Sequence, residues 1–207
     1  MNVSVSPVTT MTRKEKKEAT RRELKRAAIA CFEEFGFAET QIGQITAEAS
    51  VAKGTFYVHF KDKLELIDEL LREFNEGFVA RLLPHLGKLQ ATRLPELVEA
   101  VADEFLTYWH ENRTVIAVIS QRAIAGMAPN EIRDGMNPQM LGWLKLGMQQ
   151  LGFSVKPGEA ELVAQGLLSM WLRIGLQFVF NDTIDRDTAR DVLVRMTVGA
   201  IDRVFSL

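Results

Sequence analysis

The sequence predicts an all-α protein of about nine helices, with a small three-helix head at the N-terminus and a larger helical body behind it. Three observations carry this. Apolar residues recur at helical spacing almost throughout the 207 residues, and no stretch alternates over strand length between turn signals. Prolines, glycines and capping residues fall where the periodic stretches begin and end. The chain is 47% hydrophobic and 25% charged, enough apolar material for a sizeable core, and Cys31 is its single cysteine. An intramolecular disulfide is excluded, and a metal–thiolate cluster is a poor fit.

Residues 1–11 are polar, with neither a basic start nor an apolar run, and read as a disordered lead-in rather than a secretory signal. Together with the lone cysteine, this points to a cytoplasmic protein. From about Lys14 to Phe35, Leu24, Ala28, Cys31 and Phe35 make one stripe, with Ala27 and Phe32 beside it, and Gly36 ends the helix. Thr40 offers an N-cap for a short helix that turns Ile42, Ile45 and Ala49 inward. Ser50-Val51-Ala52 breaks the chain before a second short helix, from Lys53 to about His59. Asp62 and Glu65 form a capping-box pattern opening a long helix, which buries Leu64, Ile67, Leu71, Phe74 and Phe78 and ends near Pro84. Pro95 suits the first turn of a helix reaching His110, and further helices are expected near 113–126, 138–151, 157–181 and 185–206.

The stretch from Leu162 to Phe180 is apolar enough to raise the question of a membrane span. Gln165, Ser169, Arg173 and Gln177 nevertheless trace a polar stripe along it, and a central arginine is costly in lipid. The last helix is also apolar on two faces: Leu193, Met196 and Ala200 on one, Val194, Val198, Ile201 and Phe205 on another. Two over-apolar helices in a soluble chain point to a homodimer formed through them, with no membrane involved.

Charge is unevenly placed. Residues 11–63 hold 11 Lys/Arg against 8 Asp/Glu, a net of +3, while the rest of the chain carries −5. Arg13, Lys14, Lys16, Lys17, Arg21, Arg22, Lys25 and Arg26 crowd the first helix. A basic head on an acidic body points to a polyanion at that end.

Residues 40–60 read TQIGQITAEASVAKGTFYVHF. Two helices this short need neighbours to hold them. With Ile42, Ile45, Ala49, Val51, Phe56 and Phe60 turned inward, Lys53, Gly54, Thr55, Tyr57 and His59 remain on the outside of the second helix. A helix start carrying a cation, hydroxyls and a glycine suits a major groove. The segment from Leu24 to Leu66 resembles the DNA-binding region of the TetR/AcrR family of bacterial regulators. The resemblance runs through Ala27-Ala28, Phe32, Gly36-Phe37, Thr40, Ile42, Ile45, Ala49, Val51, Lys53 to Tyr57, His59-Phe60 and Lys63-Leu64. It implies a helix-turn-helix DNA-binding domain over residues 12–61 and a ligand-binding and dimerisation domain over 62–207. It also implies contacts to operator DNA from Thr40, Gln41, Lys53, Gly54, Thr55, Tyr57, His59 and Lys63. Ser50 departs from the glycine usual in the turn, so a left-handed residue there is mildly strained. Ala52 departs from the usual Ser/Thr cap, which forgoes roughly 1 kcal/mol.

The resemblance implies a repressor that binds a near-palindromic double-stranded operator as a dimer and is released by a small-molecule effector. Candidate ligand-lining residues are Phe105, Trp109, Ile119, Met127, Met140, Trp143, Met148 and Phe178, with Arg122 or His110 as a polar anchor. No cofactor is expected. An enzyme is disfavoured: there is no phosphate-cradling glycine loop, no metalloprotease pair and no nucleophile elbow, and the three histidines are scattered. A helical interaction module that had lost DNA binding would carry acidic or bulky residues at Lys53, Gly54 and Thr55.

Overall fold

Nine α-helices and no strand are found among the described residues, 11–86, 93–124, 138–150 and 156–205, of the computed structural model. They are α1 (Arg13–Glu39), α2 (Ile42–Glu48), α3 (Lys53–His59), α4 (Lys63–Leu86), α5 (Leu94–Glu111), α6 (Arg113–Ile124), α7 (Pro138–Gln150), α8 (Pro157–Phe180) and α9 (Arg186–Phe205). The lead-in expected over residues 1–11 lies, except for Met11, outside the described residues.

Two compact units divide between Leu70 and Leu71, inside α4 rather than at residue 61. The start of α4 belongs to the first unit because Leu66, Ile67 and Leu70 are buried there. Leu64, expected in the core, is 41% exposed, and Leu66 is fully buried instead.

In the first unit, Thr12 opens α1: its hydroxyl accepts from the Glu15 N–H, and the Glu15 carboxylate accepts from the Thr12 N–H. Leu24, Ala27, Ala28, Cys31 and Phe32 form the buried face of α1 as the stripe predicts. Phe35 departs from it and is exposed. Gly36, at φ 75° and ψ 161°, kinks the helix immediately afterwards, and beyond the kink Phe37 sets its ring edge-on to Phe32 at 5.7 Å. Ile45, Phe56 and Phe60 complete the core beneath α2 and α3.

A polar clamp fastens this unit. Arg21 of α1 donates to both oxygens of Glu69 in α4, from Nε at 2.9 and 3.1 Å, and also to the His59 carbonyl at the end of α3. Its guanidinium sits 4.3 Å from the centre of the Phe60 ring. Lys25 Nζ donates to Glu69 Oε1 at 3.0 Å. Three helices thus meet at the Arg21 guanidinium. Hydrogen bonds from Arg21 overcome the cost of burial and hold the Glu69 carboxyl at about 2, against an ordinary 4.5.

In the second unit, α5 turns Leu97, Val98, Ala102, Phe105, Leu106, Tyr108 and Trp109 inward and packs against α8 and α9. Phe105 lies 4.6 Å from Trp109 and 5.2 Å from Trp171, centre to centre, while Tyr108 stacks on Phe78 at 5.7 Å. The polar ends of these rings are satisfied. Tyr108 Oη donates to the Phe74 carbonyl at 2.9 Å, and Trp171 Nε1 donates to Thr197 Oγ1 at 2.9 Å. Gly77 leaves room for Tyr108, and Gly175 for Phe105 and Trp109.

Two predictions follow from this packing. A Cβ at Gly175 would sit 2.6 Å from Phe105 and 2.7 Å from Trp109, so Gly175→Ala should cost about 1–3 kcal/mol in urea unfolding. The depressed Glu69 contributes stability that is complete above pH 4.5 and fades as pH falls towards 2. That contribution is on the order of 3 kcal/mol at most. Glu69→Gln should therefore flatten the acid limb of the stability curve between those values, while an unchanged limb would show that the clamp contributes nothing.

Candidate nucleic-acid interface

Around the kink at Gly36 the last carbonyls of α1 take side-chain donors, from Thr40 and from Lys63 at the start of α4, in addition to the Thr40 N–H that reaches the Gly36 carbonyl at 3.2 Å. Thr40 Oγ1 donates to the Gly36 carbonyl at 2.7 Å and to the Cys31 carbonyl at 3.1 Å. Lys63 Nζ donates to the carbonyls of Thr40, at 2.6 Å, and Phe37, and lies 4.4 Å from the centre of the Phe37 ring. Thr40 is therefore the C-cap of α1 and not the N-cap of α2, and at 2% exposure its hydroxyl is not presented to a partner. Lys63 is likewise no free phosphate ligand: its ammonium is spent on α1, and burial pushes its pKa down.

The N-cap of α2 is Gln41, which is exposed, and its N–H donates to Gln44 Oε1 at 2.7 Å. The helix ends at a tight turn. The Val51 N–H reaches back to the Thr46 carbonyl at 2.9 Å, and Ser50 takes φ 53°, the only positive φ outside glycine among the described residues. That is the left-handed position where the strained serine was expected. Ala52 then starts α3 with no side-chain cap, leaving the first N–H groups of the helix unclaimed by its own side chain.

On α3, Phe56 and Phe60 point into the core with rings 5.6 Å apart. Their spacing dictates the rest of the helix. Lys53, Gly54 and Tyr57 are exposed, Tyr57 at 55%, and Thr55 is half-buried. His59 lies three residues beyond Phe56 on the same face and is buried, which corrects the expectation of an exposed, phosphate-binding imidazole. Burial pushes its pKa down, aided by the charges of Arg21 and Lys17 against that of Glu18. Buried and with its charged form disfavoured, it is poorly placed to hold a phosphate. Val58, which sequence reasoning passed over, is 67% exposed beside Tyr57. An outward valine on so short a helix was its available signal. The outer side of α3 thus presents Lys53, Gly54, Tyr57 and Val58, with Thr55 half-buried, on a helix start without a side-chain cap, and Gln41 is exposed at the start of α2.

The residues proposed to line a ligand site lie in the second unit. Phe105 and Trp109 are buried in the aromatic cluster, while Ile119 and Phe178 are half-buried, Phe178 packing against that cluster. His110 is exposed, 6.1 Å from the Phe178 ring. Met127 and the side chains of Arg122, Met140, Trp143 and Met148 lie outside what is described.

Residues 24–70 match the family described as bacterial regulatory proteins, tetR family. The probable acrEF/envCD operon repressor of Escherichia coli (strain K12) is 39% identical over 182 residues, covering 78% of this chain and 81% of that protein. The HTH-type transcriptional repressor BepR of Brucella suis biovar 1 (strain 1330) is 29% identical over 176 residues, covering 76% and 80%. Among solved structures, SmeT, the repressor of the Stenotrophomonas maltophilia multidrug efflux pump SmeDEF, shares the fold at a TM-score of 0.67. That alignment shows 22% identity and covers 90% of this chain and 92% of SmeT. With the motif in α2 and α3 and an all-helical fold throughout the described residues, the chain belongs to the TetR family of transcriptional regulators and is not an enzyme.

Proposed function

We propose that the protein is a repressor that binds a near-palindromic DNA operator as a homodimer, reading the major groove with α3. The observation that carries this reading is the outward turn of α3, where Tyr57 is 55% and Val58 67% exposed beside Lys53 while Phe56 is fully buried. This exposure leaves an aromatic and an aliphatic side chain outside the core of the head. It suits base edges and thymine methyls in a groove. Gln41, Lys53, Gly54, Thr55 and Tyr57 carry the contacts, whereas Thr40, His59 and Lys63 hold the reader in place from behind. The repressor relatives favour the same sign of regulation.

Dimerisation through α8 and α9 is supported by apolar side chains left exposed on both: Leu162 and Phe180 on α8, Met196 and Val204 on α9. Gly158–Phe180 is long and apolar enough to cross a membrane, yet Arg173 at its centre is exposed, which favours a partner subunit over lipid. We read the protein as cytoplasmic. The effector that releases the operator is a small apolar molecule held in the second unit, where the aromatic side chains of α5 and α8 gather. A molecule of another class released on denaturing the purified protein, identified by mass spectrometry, would redirect this reading.

An operator can be selected from random duplexes with the full chain. Tyr57→Ala and Lys53→Ala should each weaken its binding at least about tenfold, with helicity and dimerisation unchanged. Wild-type affinity should fall on the order of a thousandfold between 50 and 200 mM salt, and the half-sites should lie about one helical turn apart. Unaltered affinity in both variants would remove α3 as the reader.

A further inference from the structure

We propose that the first turns of α1 form a second contact with duplex DNA, independent of base sequence, in which Arg13, Lys14 and Lys17 grip the phosphate backbone flanking the site read by α3. The inference rests on the operator reading above. It concerns residues that precede the segment matched by the family, which begins at residue 24.

The buried face of α1 passes through Cys31, Ala28 and Leu24, and the same face continues towards the N-terminus through Arg21, Lys17 and Arg13. Where the core stops, the stripe changes from apolar to cationic. Arg21 marks the point of contact with the reader, since its guanidinium donates to the carbonyl of His59, the last residue of α3. Lys17 is one helical turn earlier, about 6 Å along the axis, and Arg13 one turn beyond that. Lys17 lies near enough to α3 for its charge to be felt at His59. Lys14 stands on the flank of α1 that also carries Arg21.

Residues 11–18 are all exposed, and no carboxylate among the described residues pairs with Arg13, Lys14 or Lys17. The nearby acids are otherwise disposed. Glu15 is engaged in capping α1 with Thr12, and Glu18 lies within Coulombic reach of Arg21 and His59. Arg13, Lys14 and Lys17 fall within about 6 Å of one another along the axis of α1, leading away from the end of the DNA-reading helix, and this concentration of positive charge suits the closely spaced phosphates of a duplex. They add affinity and orientation without adding sequence preference.

The test uses the full chain and a 40-base-pair duplex carrying the sequence that the wild-type protein selects from a random pool. Binding is followed by fluorescence anisotropy from 50 to 300 mM KCl. Arg13→Ala/Lys14→Ala/Lys17→Ala should reduce the salt slope by about 0.9 per lost phosphate contact, roughly 2 to 3 in all. It should weaken binding on the order of tenfold or more at 100 mM, while selecting the same sequence as wild type. The substitutions are exposed and favour helix, and circular dichroism should confirm the fold. The Lys14→Arg/Lys17→Arg variant should keep the wild-type slope. A triple-alanine variant with wild-type slope and affinity overturns this inference alone. A changed selected sequence also overturns it, since the contact would then read bases. A wild-type protein that selects no sequence overturns the operator reading and this inference with it.

Discussion

A helix of seven residues cannot hold itself together in water, and this constraint governs the whole head of the molecule. Both α2 and α3 are of that length, so every feature that exposes the outer face of α3 has to be fixed from behind. Two kinds of interaction supply the fixing. Phe56 and Phe60 bury the inner face against a core shared with Leu24 and Ile45, and the Arg21–Glu69–Lys25 clamp ties the end of α3 to α1 and α4. The first is non-directional and supplies most of the stability. The second is directional, so it sets where the helix ends and how it is turned.

The clamp also explains why charge in this head serves two different ends. Arg21 and Lys25 look, in the sequence, like members of the same basic run as Arg13, Lys14 and Lys17. In the fold they are consumed internally by Glu69, whereas the cations further towards the N-terminus stay exposed. Lys63 shows the same division, having its ammonium committed to the carbonyls of Phe37 and Thr40 at the end of α1. Charge available to a polyanion is therefore smaller than composition implies, and in the head it includes the start of α1, Arg22, Lys53 and Lys61, all of them exposed.

Much of this was legible in the sequence because the relevant signals are local. The two short helices, the break at Ser50, the interruption at Gly36 (expected as a helix end and found as a kink within α1) and the opening of α4 at Asp62 and Glu65 all depend on residues within a turn of one another. Asp62 indeed caps α4, its Oδ1 accepting from the Glu65 N–H at 2.9 Å, while the Glu65 carboxylate accepts from the Lys61 N–H and not from that of Asp62. What was not legible depends on distant partners. Arg21 and Glu69 stand 48 residues apart, and nothing in either neighbourhood announces the other. Thr40 read as a helix start because its side chain suits one, but the carbonyls of Gly36 and Cys31, at the end of α1, take that hydroxyl instead. His59 read as exposed because it is polar, although helical spacing from Phe56 places it inside. The exposed Val58 is the converse case: its outward position follows from the same spacing once Phe56 and Phe60 are fixed.

The account turns on which face of the head meets DNA. The most direct measurement is backbone-amide NMR of the deuterated full-length protein, titrated with the duplex it selects. The account predicts that the largest shifts fall at residues 53–58, with a second group at 13–17, while the amides around Ile45 and Phe60 stay nearly still. Shifts confined to the second unit, with residues 53–58 unmoved, would contradict it.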